Sequence, residues 1–223
     1  MWTEEEINVK ASVIDGDKKP NFNDLKQLQD TCSIYYAEAM IKPYASVSKG
    51  TIVVDGEPDE AWENATEIPL KIDLGTTVSC IMKLLWDEQK LHMYADVKDP
   101  VLNKVNSEPH QQDSVEIFID ENNNKSDSYE EDDKQYRVNY ENYQTFNGTK
   151  CTKENIEFFA KVTADGYIVE ASCKWADVKP SIGMEFGLEL QVNDADDSGL
   201  RLGTLSWYDT TGTGWTSKKL SLQ

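Results

Sequence analysis

Five polar residues and one tryptophan are spaced so that their side chains could form a single binding surface. Each polar residue lies in a short run with the alternation of a β-strand, on the register opposite to the apolar positions of that run. If these strands pair in one sheet, a carboxylate, a guanidinium and several amides share one face. With an exposed indole, such groups could bind a sugar by hydrogen bonds and by stacking. The six residues are Glu116, Arg137, Asn139, Gln191, Asn193 and Trp215.

The strands that must position these side chains are recognisable from their periodicity. In residues 114–120, Glu116 shares a face with Phe118 and opposes aliphatic residues, so both faces are expected to be at least partly covered. Residues 135–140 and 183–193 also alternate, with polar side chains on one face and apolar side chains on the other. Each of the three runs therefore contributes one polar stripe.

Composition restricts the classes of partner. The 223 residues have a formal net charge of -19 and a pI of about 4.4, a field that repels phosphate backbones and anionic lipid surfaces. We therefore expect neither nucleic acid nor a membrane as partner. With 6 Trp, 10 Tyr and 6 Phe, the chain is too aromatic for a disordered acidic polypeptide. The sequence predicts a folded domain that tolerates neutral ligands and attracts divalent cations.

The turn chemistry predicts an all-β fold. Residues 77–86 and 91–97 flank a short turn at 87–90, and residues 158–163 and 167–174 flank an Asp-Gly turn. Many short strands at this spacing are typical of an antiparallel β-sandwich of the immunoglobulin or jelly-roll kind, which we place at residues 46–223. The pattern in residues 1–45 is weak, and we expect an N-terminal extension or the tail of a preceding module.

Several motifs in this region resemble the family 9 carbohydrate-binding modules, which are typically appended to secreted bacterial family 10 xylanases. The resemblance covers about residues 46–223, and its motifs occur in the order of the family. They are Val54-Asp-Gly-Glu-Pro-Asp-Glu-Ala-Trp62, Leu85-Trp-Asp87, Val97-Lys-Asp-Pro-Val-Leu-Asn-Lys104, Gln112-Asp-Ser-Val-Glu-Ile-Phe-Ile-Asp-Glu-Asn-Asn123, Gln135-Tyr-Arg-Val-Asn139, Gly166-Tyr-Ile-Val-Glu170 and Gln191-Val-Asn-Asp194.

The resemblance implies a non-catalytic domain that binds soluble sugars and the chain ends of cellulose and xylan. It also implies a covalently linked catalytic domain and a secreted, extracellular bacterial protein. In such modules the sugar lies between two tryptophans and is hydrogen-bonded by polar side chains. These residues fall here on Glu116, Arg137, Asn139 and Gln191, with Trp215 as the second tryptophan.

Two positions depart from the pattern of the family. The first tryptophan falls in a loop where this chain has Glu108-Pro109-His110, and a further asparagine is replaced by Gly212. Imidazole covers less apolar area than indole, so the stacking free energy is expected to weaken by about 1 kcal/mol. We therefore expect weaker sugar binding or an altered preference, with His110 in the position of one wall.

The acidic segment 120–133 is rich in the oxygen ligands that calcium prefers. Its spacing is not that of an EF-hand loop, and a solvated acidic loop is an equally good interpretation. The family resemblance implies structural calcium, for which we select Asp99, Asp120, Glu121 and Asp132 as ligands.

Other functions stay open at this stage. A glycoside hydrolase would need a pair of carboxylates about 5–10 Å apart, but the 41 acidic residues make some such pair inevitable. A calcium-stabilised structural or adhesion module and a haem-binding sandwich are further alternatives. Glu116 and Arg137 could also form a purely structural ion pair.

Smaller expectations concern single residues. The four cysteines lack metal-ligand spacing and are expected to be mostly buried free thiols. His92 is expected to face outward from its strand. The remaining tryptophans in or beside apolar runs are expected in the core, and they are Trp62, Trp86, Trp175 and Trp207.

Overall fold

The computed structural model describes residues 45–124, 126, 128–176 and 178–212. This part contains twelve strands and three short 3₁₀ helices. The strands are β1 (Ser48–Lys49), β2 (Thr66–Pro69), β3 (Ile72–Asp73), β4 (Ser79–Trp86), β5 (Lys90–Lys98), β6 (Ser114–Asp120), β7 (Asp133–Asn139), β8 (Gln144–Asn147), β9 (Ile156–Val162), β10 (Gly166–Lys174), β11 (Gly187–Ala195) and β12 (Arg201–Ser206). The 3₁₀ helices are Glu60–Asn64, Pro109–Gln111 and Lys153–Asn155. No helix within these residues is long and apolar enough to cross a bilayer.

The strands form two sheets, as the sequence predicts. The back sheet has the order β1-β4-β5-β10-β9, with β2 also paired to β4, and the front sheet has the order β3-β12-β11-β6-β7-β8. Every pairing is antiparallel except that of β1 with β4, which is parallel. The all-β sandwich is therefore confirmed, with one parallel edge pair that the sequence did not predict.

Both predicted hairpins are present. In the first, the Asp87 N–H donates to the Lys90 carbonyl at 2.9 Å, and β4 and β5 follow on either side. In the second, the Thr163 N–H donates to the Gly166 carbonyl at 2.9 Å. Gly166 has a φ of 154°, and a Cβ atom there would lie 2.0 Å from the Val97 carbonyl oxygen. Only glycine fits this close approach of β10 to β5.

The main core lies between the sheets and is formed by the apolar register of each strand. Ile117 and Leu190 of the front sheet are fully buried, as are Leu84, Met93 and Val169 of the back sheet. Burial of each such side chain contributes roughly 1.5–3 kcal/mol. Because this register is apolar, the alternating polar side chains of the front sheet are directed to its outer face.

A smaller cluster closes the outer face of the back sheet. Ile52, Trp62 and Leu85 pack together there. The Glu170 carboxylate receives hydrogen bonds from the Trp62 indole N–H at 3.0 Å and from the Gly56 N–H at 2.9 Å. Burial raises the pKa of Glu170, and these donors oppose that effect. This face is thus occupied by the chain itself.

The tryptophans in the core follow the prediction. Trp62 and Trp207 are buried, and Trp86 and Trp175 are partly buried and pack against the main core. Three cysteines within the described residues are free thiols, namely Cys80, Cys151 and Cys173. Cys32 and the predicted extension, apart from Ala45, lie outside the described residues, so the boundary at residue 46 stays a prediction.

His92 faces outward from β5 but is only 1% exposed. Its Nδ1 lies 2.7 Å from Ser172 Oγ, and its Nε2 lies 3.1 Å from Asp87 Oδ2. Burial lowers the pKa of His92, although Asp87 partly opposes the shift. The neutral imidazole is therefore favoured in the folded protein.

We predict that His92 makes folding sensitive to acid. Its folded pKa is lowered, so below about pH 6.5 the unfolded chain binds more protons and the free energy of unfolding decreases. Replacing His92→Gln should make the decrease between pH 7 and pH 5 shallower, as measured by urea unfolding. Other titrating groups are common to both proteins and cancel in the difference. Parallel pH curves for the two proteins would refute this assignment.

Candidate functional site

The register of the front sheet brings the predicted polar residues together. Glu116 on β6 lies opposite Gln191 on β11 and Arg137 on β7. One pair further along, Ser114 lies opposite Asn193 and Asn139. Directly opposed residues point to the same face and have Cβ atoms about 4.5–5.5 Å apart. The predicted cluster therefore exists on the outer face of this sheet.

Glu116 lies at the centre of this cluster and is 1% exposed. Its Oε1 accepts hydrogen bonds from Arg137 Nε at 2.8 Å and from Asn193 Nδ2 at 2.7 Å. Its Oε2 accepts one from Gln135 Nε2 at 2.7 Å. A buried carboxylate is tolerated when a cation and further donors compensate its desolvation. The structural ion pair considered from the sequence is therefore present, and it belongs to a larger network.

Asn193 connects Glu116 to the neighbouring strands. Its Nδ2 also donates to Ser114 Oγ at 3.0 Å, and its Oδ1 accepts from Gln191 Nε2 and from Arg201 Nη1, both at 3.0 Å. Every polar atom of this amide thus has a partner. Hydrogen bonds in such a network hold the rotamers of the participating side chains in place before any ligand arrives.

Asn139 is positioned by different contacts. Its Nδ2 donates to Gln112 Oε1 at 2.8 Å, and its Oδ1 accepts from the N–H groups of Glu141 and Tyr143 at 3.0 and 2.9 Å. The Asn139 amide therefore joins the loop before β6 to the turn after β7. It belongs to the same sheet face but does not bond to Glu116.

Arg201 is a site residue that strict alternation misses. β11 and β12 change register between Asp194 and Ala195, so that Ala195 pairs with Arg201 and Leu202 is an extra residue in β12. Such a bulge moves the next side chain to the other face. Counting by twos from the core residue Leu205 would have placed Arg201 inside the sandwich.

His110 lies beside this network. The 3₁₀ helix Pro109–Gln111 that contains it is held by Gln111, whose Oε1 accepts the Arg201 N–H at 2.8 Å. Burial lowers the pKa of His110, and the nearby positive charges of Arg201 and Arg137 lower it further. The imidazole is therefore stabilised in its neutral form.

Glu189 lies two residues before Gln191 on β11 and fixes the segment that follows β12. Its carboxylate accepts the N–H groups of Trp207 at 2.9 Å, Tyr208 at 3.1 Å and Asp209 at 3.0 Å. Burial raises the pKa of Glu189 to about 7, against the effect of these donors. Further on, the Gly212 carbonyl accepts a hydrogen bond from Arg201 Nη2 at 3.2 Å. Trp215 lies outside the described residues.

The cluster is not an open groove, because several of its side chains are buried. Glu116, Gln191 and Asn193 are at most 2% exposed, because each contacts the polar groups of its neighbours. Among the side chains that reach solvent at this face are Arg137, Arg201 and His110, all of intermediate exposure, together with Thr145 and Asn147 of β8. Tyr129 borders the same region, with its hydroxyl 3.5 Å from Gln135 Oε1.

The predicted calcium ligands do not form one set. Asp99 belongs to a buried cluster with Asp113 and Asp194, in which one oxygen of each lies within 4.8 Å of the others. Asp120 and Asp132 belong to a second cluster with Asp133. Within the described residues, Glu121 is in neither cluster. Its carboxylate accepts hydrogen bonds from Lys134 Nζ and from the Ala176 N–H.

The first cluster has the donor set of a cation site. Burial raises the pKa of Asp99 to about 6 and that of Asp113 to about 7, with Asp194 adding a further repulsion to both. Asp99 Oδ2 and Asp194 Oδ1 are buried and have no hydrogen-bond partner among the residues described. Asp113 and Asp194 escaped the sequence analysis because they come from segments far apart in the chain.

Comparisons with known proteins identify the family. The sequence profile described as carbohydrate family 9 binding domain-like matches residues 54–220. Endo-1,4-beta-xylanase A of Thermotoga maritima is 44% identical over 215 residues, which are 94% of this chain and 20% of that protein. Exoglucanase XynX of Acetivibrio thermocellus is 38% identical over 206 residues, covering 87% of this chain and 18% of that protein. The chain thus spans about a fifth of the length of these relatives.

Solved structures show the same architecture. A carbohydrate-binding module of family 9 from Caldicellulosiruptor kristjanssonii, in complex with cellotriose, superposes with a TM-score of 0.74 at 42% identity. The match covers 79% of this chain and 88% of that one. A family 9 module from the same organism in complex with glucose gives a TM-score of 0.73 at 42% identity, over 78% and 90% of the two chains.

We predict that the substitution Asn193→Asp disrupts the network. An aspartate at position 193 would place a second carboxylate beside Glu116 and remove an amide donor. Leaving a buried charge without its partner decreases the free energy of unfolding by roughly 3–5 kcal/mol. Guanidinium chloride unfolding measures this loss. The control substitution Asn64→Asp adds the same charge at an exposed position at the end of the first 3₁₀ helix, away from this network, and should change stability by less than about 0.5 kcal/mol. Equal effects of the two substitutions would contradict the central role of Asn193.

Proposed function

The chain belongs to family 9 of the carbohydrate-binding domains, and from this premise we propose that its front sheet binds the ends of plant cell-wall polysaccharides and short oligosaccharides. As a member of this family it is a non-catalytic binding domain. The observation that supports the position of the site is the network of Glu116, Arg137, Gln191 and Asn193 on one sheet face. Two relatives of known structure are described as complexes with cellotriose and glucose.

The chemistry of this face suits a sugar end. Arg137 is an ionised donor fixed by Glu116 and by Thr145, whose Oγ1 accepts from Nη1 at 3.0 Å. Charge-assisted hydrogen bonds to sugar hydroxyls contribute on the order of 1.5–3 kcal/mol each. Because the donors are already oriented, binding loses little side-chain entropy. Trp215 would add an indole face for the C–H groups of the pyranose.

The relatives suggest the biological setting. They are named as xylanases and an exoglucanase, and this chain matches about a fifth of their length. We propose that the domain is linked to a glycoside hydrolase in a secreted bacterial protein and directs it to xylan and cellulose. Binding chain ends would raise the local concentration of substrate around the attached enzyme.

The arrangement does not favour hydrolysis by this domain itself. Glu116 is occupied by Arg137, Asn193 and Gln135, so both of its oxygens already accept hydrogen bonds. A general acid must donate a proton, and a nucleophilic carboxylate must be free to attack. Glu116 instead has the properties of a fixed acceptor that orients donors.

We predict measurable binding of cellobiose and xylobiose by calorimetry. Trp215→Ala should weaken it about tenfold, corresponding to the loss of an indole contact worth about 1.4 kcal/mol. Arg137→Met should weaken it by a similar or larger factor. Phe159→Ala, which removes a partly exposed ring from the back sheet, is the control and should bind normally. Absence of heat at millimolar sugar, or unchanged binding by both site variants, would refute the proposal.

We further propose that calcium stabilises the domain at Asp99, Asp113 and Asp194. Calcium takes six to eight oxygen ligands, which buried carboxylates supply. The two buried carboxylate oxygens without protein partners support this assignment, because unpaired buried charges are costly. Asp120, Asp132 and Asp133 are the second candidate set.

We predict that calcium raises the melting temperature of the folded domain and that chelation reverses the rise. At 100 times the dissociation constant, a ligand specific to the folded state adds about 2.7 kcal/mol. The double variant Asp99→Asn/Asp194→Asn should lose this response. Asp165→Asn, which changes an exposed carboxylate in the turn before β10, should retain it. A melting temperature independent of calcium would argue against the site.

A further inference from the structure

The ionised side chains of the site that reach solvent are two arginines. Glu116 is 1% exposed, whereas Arg137, Arg201 and His110 have intermediate exposure. Arg137 is ion-paired with Glu116 at 2.8 Å. The terminal nitrogens of Arg201 instead donate to neutral oxygens, those of the Asn193 side chain and the Gly212 main chain. In the described part of the chain, Arg201 has no carboxylate within ion-pair distance.

These two arginines contrast with a chain of net charge -19. Glu116 is ion-paired with Arg137 and acts on Arg201 only at longer range. Asp209 also acts on Arg201 at longer range: its Oδ1 is engaged by the N–H and hydroxyl of Thr211 at 2.8 and 2.7 Å, and its buried Oδ2 has no hydrogen-bond partner among the described residues. A half-buried cation without a direct counter-ion is costly, and an anionic ligand group would remove that cost.

The chemistry of these donors is suited to a carboxylate. Guanidinium groups bind carboxylates through parallel hydrogen bonds that a single hydroxyl cannot match. His110 adds an imidazole, which is a polar ring with an N–H donor, in the loop where the family pattern has an indole. The described part of the site therefore offers two guanidinium groups and a polar ring as ligand contacts.

We propose that this site, given the sugar-binding function proposed above, prefers sugar ends that bear a carboxylate over their neutral counterparts. The ligand class is a uronic acid residue or an oxidised, aldonic acid terminus. Arg201 is the residue that determines this specificity, with Arg137 as the second cation and His110 as a neutral polar neighbour. The carboxylate of the ligand would supply the counter-ion that Arg201 lacks.

Two matched pairs of ligands test the proposal by calorimetry at low ionic strength. Glucuronate and glucose differ at carbon 6, and cellobionate and cellobiose differ at the reducing end. We expect the acid of at least one pair to bind about tenfold more tightly than its neutral partner. That ratio should decrease as sodium chloride is added, because screening weakens ionic contacts. The pair that responds identifies the position of the carboxylate.

The variants assign the preference to Arg201. Arg201→Met should reduce the acid-to-neutral ratio to about one, and Arg201→Lys should retain part of it because the charge remains. The control Lys161→Met removes one exposed positive charge from β9 of the back sheet and should leave the ratio unchanged. The salt dependence is measured on the unmodified protein. It therefore tests the preference for carboxylates even if Arg201→Met fails to fold.

The outcomes separate the two proposals. If glucose and cellobiose bind as tightly as their acids, the preference for carboxylates is refuted and the sugar-binding function stands. If neither neutral nor acidic sugars bind, both proposals are refuted. A preference that persists in Arg201→Met would refute the role assigned to Arg201.

Discussion

The functional face of this domain depends on one buried carboxylate, that of Glu116, whose negative charge is balanced by hydrogen-bond donors. Glu116 can lie on the outer face of a sheet at 1% exposure only because side chains from both neighbouring strands donate to it. Arg137 and Gln135 come from β7, and Asn193 comes from β11. Removing any one donor would leave a buried charge partly uncompensated. The same bonds that stabilise Glu116 therefore hold the donors that a ligand would meet.

Buried carboxylates have a related structural role elsewhere in the sandwich. Glu170 fixes segment 50–65 on the back sheet, and Glu189 fixes the residues after β12. Asp113 accepts the N–H of Ala195 at 2.6 Å, at the position of the β12 bulge. In each case a buried carboxylate accepts backbone N–H groups where regular strand pairing ends or is irregular. Some acidic residues of this chain therefore stabilise the fold, in addition to any effect of the acidic residues on solubility.

The charge distribution has consequences for ligand choice. A net charge of -19 gives the protein a repulsive field for anions at long range, which salt screens within about 10 Å. At the site, contacts are shorter than this distance, and the ionised groups that reach solvent are those of Arg137 and Arg201. A small acidic sugar is therefore affected mainly by these two arginines once it is close. This combination distinguishes such a ligand from a polyanion such as nucleic acid, which would experience the field of the whole surface.

The sequence by itself determined the fold class, the two hairpins and the face on which each polar residue lies. Strand alternation is a local property, so Glu116, Arg137, Asn139, Gln191 and Asn193 could be assigned to one face from their spacing. The turn residues were equally informative, since Asp-Gly and short polar loops restrict backbone geometry locally.

Only the tertiary structure decided which distant residues meet. The bulge that turns Arg201 to the outer face is a property of the pairing between β11 and β12, and alternation within β12 alone indicates the opposite face. The cluster of Asp99, Asp113 and Asp194 combines three segments separated along the chain, so no local motif reveals it. The burial of Glu116 likewise depends on its neighbours across the sheet, because desolvation and its compensation are set by spatial contacts and not by sequence spacing.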